Sequence, residues 1–517
     1  MRLTRINPAK CYQYGGLTVS HQINVVELDA GSTATATARG ADRDASHQSA
    51  LGRNGVADDL LQAYNNEEAD TEPTEQFQKH HQHQEQQQQQ LVLPSTVGLS
   101  HDELEHVLGQ MAIVVPCKNE DIHIIDAVLS CIPASCLIVL VSNSDRGSSS
   151  VTSADDSGCP DSDRPDRYAQ EVRMLQRFCR FGRSAIAIHQ KDLAAAKAFE
   201  LAGMPDLLAS VFGGEKTIRN GKGEGMILAT ALTAALCPDI RYIGYVDADN
   251  TCPSSVLEYC RAFAAGFTLA NTNESAGENA MVRIRWSSKP KAVAKGQIEY
   301  PREGRSSRHV NRWLNRLISH IADANGLSNS SHSREHLKGM ITTGNAGEHA
   351  MTMDLAFKLR LASGYAIEPF HYVDLLERLA PGTHNNTAKT NGNTLGPVKI
   401  LQIQTRSCHL HQQRGEAHVR KMWTTGLGAI YHHIPHTLKT RAPLVRKEIV
   451  DYITQQDNKS STPATVEATK EDQVPFKEPP RSRVYAPMER LNMPLFRNVV
   501  RNSTSLHSFG LHIRTRA

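Results

Sequence analysis

Short apolar runs alternate with amphipathic segments through the middle of this chain. Each apolar run is bounded by polar or turn-forming residues, which is typical of buried strands, and each amphipathic segment repeats its apolar residues at helical spacing. The predicted strands are 111–117, 136–144, 184–190 and 241–246, and the predicted helices are 123–132, 167–182, 193–203 and 221–237. Strands and helices that alternate in this way predict an α/β fold with a mostly parallel, doubly wound sheet.

The pattern continues toward the C-terminus, where a helix over 254–267, a strand over 280–286 and a helix over 310–326 are predicted. Two polar interruptions, near 328–335 and 385–396, resemble surface loop insertions. We therefore expect the packed part of the chain to consist of a main region, residues 102–270, and a smaller C-terminal region, residues 271–454.

Composition separates three further parts from this core. Residues 1–30 include the strand-like LTVSHQINVVEL and are expected to pack on the main region. Residues 31–101 contain QKHHQHQEQQQQQ and are predicted to be a disordered low-complexity insertion, because so polar a tract buries too little apolar area to offset its ordering entropy. Residues 455–517 are polar and proline-containing, and are predicted to be a tail.

The net charge, the absence of long apolar runs and the cysteine spacing argue against nucleic-acid-binding, membrane and disulfide-rich secreted proteins. The formal net charge of +3 gives no global field for nucleic acid, so no nucleic-acid partner is expected. Without an apolar run of membrane-spanning length or a secretory signal, we expect a cytoplasmic protein with no membrane partner. The ten cysteines are scattered singly and indicate reduced thiols rather than a disulfide framework.

Asp247 and Asp249 follow the predicted strand that ends in YIGYV. Residues two apart in an extended chain share a face, and ligands of parallel sheets bind beyond the carboxyl ends of the strands. Two carboxylates there suffice for a divalent cation when diphosphate oxygens complete its coordination. A solvated turn that caps the next helix would also place aspartates here, but the position after a buried strand favours the metal site.

Four other polar segments contain residues that could bind an anion or a metal ion. RNGKGEGM opens a helix with glycines and Lys222, a pattern typical of a phosphate site and also of an ordinary turn. GRSSRHVNRW places Arg305 and Ser307 just before a helix, as an anion socket or a basic cap. Of the remaining two segments, GNAGEHAM holds Asn345, Glu348 and His349 in a tight turn bounded by glycines, and QTRSCHLHQ holds His409 and His411. A histidine could complete a cation site built on the aspartates, although a lone histidine is more often structural.

In this order, VPCKNE, RNGKGEGM, YVDADN, GRSSR, GNAGEHAM and QTRSCHLHQ resemble the motifs of mannosyl-3-phosphoglycerate synthases over roughly 102–450. The resemblance implies a GT-A type, Rossmann-like glycosyltransferase fold. It also implies transfer of mannose from GDP-mannose to 3-phosphoglycerate with retention, and dependence on a divalent cation, with Mg²⁺ expected and Mn²⁺ or Co²⁺ as alternatives. Region 102–270 would bind the nucleotide sugar, and region 271–454 would bind the acceptor and complete the metal site. A homodimer is compatible with the resemblance.

The resemblance also implies roles for individual residues. Donor binding falls to Pro116, Lys118, Asn119, Glu120, Ser142, Lys222 and Asp247. Acceptor binding falls to Arg305, Ser307, Asn311 and Asn345, and the metal to Asp247, Asp249, His409 and His411. The residues expected to act in catalysis are Asp249, Glu348 and Arg305. Because TRSCHLHQ departs from the usual Asn-Pro before the histidines, the choice between His409 and His411 stays open.

Two other activities fit the same pattern. A glucosyl-3-phosphoglycerate synthase type of transferase would differ only in the orientation of a sugar hydroxyl, which the sequence does not resolve. A nucleotidyltransferase acting on sugar phosphates would also carry acidic residues and a Gly-rich loop. Such an enzyme usually has that loop directly after the first strand, where this chain has PCKNE.

Overall fold

A computed structural model describes residues 3–7, 10–27, 97–147, 166–211, 214–271, 279–292, 297–326, 339–381, 395–411, 415–460 and 478–511. Most of the predicted insertion 31–101 and of the two predicted loop insertions lies outside the described residues. Among the helices that the structure describes, none is long and apolar enough to cross a membrane.

The strands are β1 (Leu3–Asn7), β2 (Lys10–Tyr14), β3 (Leu17–Glu27), β4 (Val97–Ser100), β5 (Met111–Cys117), β6 (Leu137–Ser142), β7 (Ser184–His189), β8 (Leu208–Ser210), β9 (Lys216–Ile218), β10 (Tyr242–Tyr245), β11 (Asn279–Arg285), β12 (Lys291–Ala292), β13 (Ile298–Glu299), β14 (His349–Thr352), β15 (Leu361–Ala362), β16 (Val398–Gln404), β17 (Val484–Tyr485) and β18 (His507–Phe509). The helices are α1 (His101–Gly109), α2 (Ile122–Ser130), α3 (Arg167–Cys179), α4 (Leu193–Leu201), α5 (Lys222–Leu236), α6 (Pro253–Asn271), α7 (Arg305–Ala324), α8 (Met353–Lys358), α9 (Ile367–Leu379), α10 (Glu416–His432), α11 (Ala442–Ser460) and α12 (Met493–Val500).

One large sheet organises the described chain. Its strand order is β18-β7-β6-β5-β10-β14-β11-β16-β3-β1-β4, with β2 paired to β3. The block β7-β6-β5-β10 is parallel, and so is the block β11-β16-β3. Between the two blocks, β14 runs antiparallel to both of its neighbours, β10 and β11. The reversal brings the start of β14 beside the end of β10.

The core lies on both faces of this sheet, because the central strands are apolar on both sides. In β5, Val114 belongs to one apolar cluster, whereas Ile113 and Val115 belong to the other. Helix α5 contributes Leu228 to the first cluster, and α6 contributes Phe263 to the second. The sheet is therefore held between two helical layers, and its strand ends open toward the loops that carry the conspicuous motifs.

The predicted α/β fold with a mostly parallel central sheet is confirmed. Each segment predicted between residues 111 and 250 has the predicted helical or extended structure, with small shifts of its ends. The division at residue 270 is not seen as a boundary, since strands from both predicted regions share one sheet within one compact unit. That unit also includes the N-terminal strands, of which β3 pairs with β16.

Two further expectations about element boundaries are wrong. Residues 97–101, assigned to the insertion, form β4 and the first residue of α1, and Ser100 accepts a hydrogen bond from the Glu103 N–H as a helix cap. Helix α7 begins at Arg305, before the apolar periodicity starts at Val310, because its polar first turn hides the helical start. Arg305 and Ser307 therefore lie inside the helix rather than before it.

The prediction of a polar tail over 455–517 is wrong for residues 478–511. Helix α12 packs Phe496 against Phe199 with ring centroids 4.7 Å apart, and both rings are buried. Tyr485 donates a hydrogen bond of 2.7 Å to Glu224, and β18 pairs with β7 at one edge of the main sheet. A C-terminal segment that is mostly polar in sequence therefore packs against α4 and α5 through a few apolar and aromatic side chains.

Candidate active site

The aspartate pair lies where β10 ends, at the reversal in the sheet. Asp247 and Asp249 are half-buried, and the residues between and after them, Ala248 and Asn250, are buried, so both carboxylates point away from the core. Strand β14 pairs Tyr245 with His349, which brings the loop before β14 alongside the aspartates. Sheet topology therefore joins the YVDADN and GNAGEHAM segments.

Lys222, the first residue of α5, neutralises part of this acidic site. Its Nζ lies 2.6 Å from Asp247 Oδ1 and 2.9 Å from Glu368 Oε1. Burial opposes a charged ammonium, but the two carboxylates outweigh it and raise the pKa of Lys222 well above its usual value. Burial likewise opposes the charge of Asp247, yet Lys222 holds the pKa of that aspartate below its usual value. Lys222 is therefore a permanent cation at the base of the site.

Gly347 lets the backbone approach this ion pair closely. A Cβ at that position would stand 2.5 Å from Asp247 Oδ2 and 3.0 Å from Lys222 Nζ. No side chain fits there without displacing one of the two charged groups. The close approach requires a glycine and ties the loop before β14 to the end of β10.

We expect Gly347→Ala to lower kcat by about tenfold to a hundredfold, because displacing catalytic groups by about 1 Å has effects of that size. The comparison is steady-state release of nucleotide by wild type and variant. Gly109→Ala is the matched control, since a Cβ there meets nothing within 4 Å. A Gly347→Ala enzyme with wild-type kcat would show that the aspartate and lysine are not positioned by this contact.

Glu348 is a fully buried carboxyl group directly after that glycine. Neither of its oxygens has a hydrogen-bond partner among the described residues, and the nearer one, Oε1, is 4.0 Å from His409 Nδ1. Burial, together with the charge of Asp247, raises the pKa of Glu348 to about 8. A buried carboxyl left without a partner is expensive in a protein interior, which points to a role in binding or catalysis.

The loop that precedes Glu348 is held from below by two polar side chains. The buried Arg283 donates from Nε to Thr343 O over 2.9 Å. Asn311 donates from Nδ2 to Thr342 O over 2.9 Å and accepts from the Gly344 N–H over 2.7 Å. Both ends of the Asn311 amide are thus engaged by the loop backbone, which places this predicted acceptor residue under the loop.

The histidine segment lies against the aspartate loop. Asn250 and His411 form a β-bridge, and the Thr251 N–H donates to Leu410 O over 2.9 Å. The charge of His411 contributes to lowering the pKa of Asp247, so its imidazole acts on the aspartate site.

His409 is buried, and its contacts differ from those of His411. Its Nδ1 lies 3.0 Å from the Tyr259 hydroxyl, and its ring stacks on Trp286 at a centroid distance of 4.3 Å. Burial lowers the pKa of His409 well below its usual value. Within the described residues, no group of three histidine, cysteine or acidic side chains is already arranged to hold a metal. Asp247, Asp249, His409 and His411 are thus neighbours, and not a closed metal cage.

The predicted acceptor residues gather at the start of α7. Ser307 is buried and lines a small cavity together with Trp286, Gly304, Thr342 and Thr343. Arg305 forms an ion pair with Glu416. Asn345 donates from Nδ2 to Ser306 Oγ over 3.0 Å, and its Oδ1 has no hydrogen-bond partner in the part of the chain described. Serine, arginine and a helix N-terminus together can receive an anionic group.

The predicted donor residues lie at the ends of β5 and β6. Pro116 is within β5, and Ser142 is the last, buried residue of β6. Asn119 has a positive φ of 61°, and its side chain accepts from the Asp145 N–H over 2.8 Å. Glu120 accepts a hydrogen bond from the Lys118 N–H. The two strand-end loops are thus cross-linked into one rim beside α5.

Three residues near the site were not predicted from the sequence. Glu368 shares Lys222 with Asp247, and Arg283 supports the loop before Glu348. Lys289 lies over the Trp286 ring, 4.6 Å from its centroid, and the charges of Glu348, Asp247 and Asp249 act on it. None of these residues belongs to a recognisable motif, and only their burial in the folded chain distinguishes them.

Comparison with known proteins gives matches over most of the chain. The family model described as mannosyl-3-phosphoglycerate synthase matches residues 7–500. A mannosyl-3-phosphoglycerate synthase of Pyrococcus furiosus is 34% identical over 415 residues, covering 80% of this chain and 90% of the relative. One of Aeropyrum pernix is 32% identical over 337 residues, covering 65% of this chain and 76% of the relative.

Among solved structures, the chain is similar to a glucosyl-3-phosphoglycerate synthase from Mycobacterium tuberculosis in complex with Mn²⁺, uridine diphosphate and phosphoglyceric acid. The sequence identity is 15% and the TM-score 0.39, with 76% of this chain and 95% of that chain covered.

Proposed function

Because this chain belongs to the mannosyl-3-phosphoglycerate synthase family, we propose that it transfers mannose from GDP-mannose to 3-phosphoglycerate with retention of anomeric configuration. The family predicted from the ordered motifs is confirmed, and with it a glycosyltransferase activity. The specific donor and the stereochemical outcome are the proposed parts. Glucosyl transfer is the alternative that the same site would also support.

The observation that carries the proposal is the meeting of three motifs at the end of β10. Asp247 lies against the backbone at Gly347, and Asn250, the residue after Asp249, forms a bridge with His411. The aspartates at the end of β10 lie beside the N-terminus of α5, whose first residue is Lys222. A helix N-terminus and a lysine can bind the phosphates of a nucleotide diphosphate, and the aspartates can bind its cation. The anion socket of Arg305 and Ser307 supplies a separate place for a phosphorylated acceptor.

A divalent cation fits the chemistry of this site. Asp247 and Asp249 would hold it together with His409 or His411. The contact of His409 Nδ1 with the Tyr259 hydroxyl does not exclude His409, because a metal-bound histidine commonly engages its second ring nitrogen in a hydrogen bond. The described residues form no closed group of three ligands, so diphosphate oxygens would complete the coordination. When bound, the cation stabilises the charge that grows on the leaving diphosphate.

The chain's own residues perform the remaining tasks. Lys222 keeps Asp247 ionised, and the rim of Pro116, Lys118, Asn119, Glu120 and Ser142 binds the guanosine part of the donor. Arg305 and Ser307 bind the acceptor. Burial and the charge of Asp247 raise the pKa of Glu348, which favours the protonated and poorly nucleophilic form of its carboxyl group. This favours front-face attack over a double displacement, and trapping a covalent mannosyl ester on Glu348 would contradict it.

The proposal is tested by measuring nucleotide diphosphate release from GDP-mannose, GDP-glucose and UDP-glucose, each with and without 3-phosphoglycerate. Release from GDP-mannose that requires 3-phosphoglycerate is the expected result. A preference for a glucose donor would favour the glucosyl alternative. Pyrophosphate release from a nucleoside triphosphate and a sugar phosphate would instead indicate a nucleotidyltransferase.

Removal of divalent cations is expected to abolish turnover. After treatment with a chelator, nucleotide release should fall to background, and adding back Mg²⁺, Mn²⁺ or Co²⁺ should restore it, because the leaving group loses its electrostatic stabilisation without the ion. Circular dichroism of the treated protein serves as the control for folding. Full activity after exhaustive chelation would contradict the metal assignment.

A further inference from the structure

Lys289 is a half-buried cation for which the described residues provide no ion pair. Its ammonium lies 4.6 Å from the centroid of the Trp286 ring. The acidic groups whose charge acts on it are Glu348, Asp247 and Asp249, and none of them lies within ion-pair distance of it in the described chain. A cation held in place by an aromatic ring, near carboxylates and yet unpaired, is suited to receive an anionic group from outside the chain.

Hydrogen bonds of the backbone and packing against neighbouring residues fix the position of Lys289. Its N–H donates to Pro301 O over 2.9 Å, and the adjacent Ser288 O accepts from the His409 N–H over 2.9 Å. Its Cδ is 3.7 Å from the place where a Cβ on Gly304 would stand. Lys289 therefore lies between the histidine segment that flanks the aspartates and the residue that caps α7.

Arg305 is the other cation that acts on this region, and the two like charges repel each other. Arg305 already has a carboxylate partner in Glu416, whereas an anion beside Lys289 would offset the repulsion between the two cations. The proposed acceptor carries two such anions. The carbon that bears the free hydroxyl of 3-phosphoglycerate also bears its carboxylate, and the phosphate is attached to the next carbon.

The carboxylate of this acceptor must therefore lie close to the atom that attacks the sugar. The charges of Glu348, Asp247 and Asp249 all act on Lys289, which places its ammonium near the aspartate site. Arg305 and Ser307 belong to the first turn of α7, whose amide groups suit a phosphate. Position thus assigns the phosphate of the acceptor to the first turn of α7 and its carboxylate to Lys289.

Resting on the proposed function, we propose that Lys289 is a further acceptor-binding residue, whose ammonium binds the carboxylate of the acceptor while the first turn of α7 binds its phosphate. The ring of Trp286 supports the lysine in this position. This contact places the acceptor hydroxyl toward the donor sugar.

The test compares Lys289→Met with wild type, because methionine keeps much of the side-chain length and removes the charge. The KM for 3-phosphoglycerate should rise by about tenfold to a hundredfold, the range for a hydrogen bond to a charged group. The KM for GDP-mannose should change little. Lys289→Arg should recover part of the loss, and Lys197→Met, at an exposed salt bridge, is the control.

Calorimetry on the full chain with GDP and Mg²⁺ distinguishes the carboxylate from the phosphate. Lys289→Met should weaken the binding of 3-phosphoglycerate and leave that of glycerol 3-phosphate, which lacks the carboxylate, close to wild type. Equal weakening of both ligands, or an unchanged KM for 3-phosphoglycerate, would overturn the assignment. If Lys289→Met does not fold, Lys289→Gln is measured in its place. A wild-type enzyme that does not use 3-phosphoglycerate would instead defeat the proposed function itself.

Discussion

Asp249→Asn is expected to lower kcat by about a thousandfold, which corresponds to about 4 kcal/mol of transition-state stabilisation. Asparagine keeps the size of the side chain but removes the charge that a divalent cation requires. Asp249 lies at the carboxyl end of β10, beside Asp247 and the bridge between Asn250 and His411. Loss of the charge would therefore remove a proposed metal ligand from the place where the leaving diphosphate is expected.

The matched control for this substitution is Asp239→Asn. Asp239 is exposed and precedes β10, at the opposite end of the strand from Asp249. Both variants are assayed for nucleotide release across a range of Mg²⁺ concentrations. If Asp249→Asn kept more than about a tenth of wild-type kcat at saturating metal, Asp249 would not be a ligand, since such a loss amounts to only about 1.4 kcal/mol.

The second large effect is on stability. Phe496→Ala should lower the free energy of unfolding by about 3–5 kcal/mol, the range for removing a fully buried phenylalanine ring. Phe496 is completely buried and packs against Phe199 in α4. The substitution leaves a cavity between α12 and the rest of the fold, and urea denaturation followed by tryptophan fluorescence measures the change.

Phe181→Ala is the matched comparison, because Phe181 is 87% exposed. Its unfolding free energy should stay within about 0.5 kcal/mol of wild type, as for most surface substitutions. The same change of residue type is thus made in a buried and in an exposed place. If the two variants unfolded at the same urea concentration, the C-terminal segment 478–511 would not be an integral part of the fold.

The parallel block of the sheet was predictable from local pattern. Strands β5, β6 and β7 are covered on both faces, so each appears in the sequence as a continuous apolar run, and the intervening helices show their own period. Asp247 and Asp249 were predictable for the same reason, because the end of a buried strand fixes where the next polar residues emerge.

Strand β14 shows what local pattern does not contain. Its sequence HAMT is short and partly polar, and its position between β10 and β11 depends on pairing with distant segments. That position brings Gly347 against Asp247, a contact that no spacing along the chain expresses. Lys289, in the segment SSKPK, likewise acquires its surroundings only from tertiary packing.

The prediction of a polar tail fails at the C-terminal segment because a short apolar helix is embedded in a long polar stretch. Most of residues 455–517 are polar, but MPLFRNVV forms α12, whose apolar residues lie on one face of the helix and pack against α4 and α5. Phe496 and Val500, which lie on that face, are fully buried. A mostly polar composition therefore excludes an independent core and does not exclude docking on an existing one.

The pairing of β3 with β16 and of β18 with β7 has a consequence for how the protein is made. One strand from the first thirty residues finds its partner at 398–404, and the strand at 507–509 returns to a partner at 184–189. During vectorial synthesis on a ribosome, β3 and β7 emerge long before the strands that cover them. Both present unpaired edges in the interval. The sheet is complete only after residues 507–509 have been released, so termination before them would leave an incomplete and aggregation-prone chain.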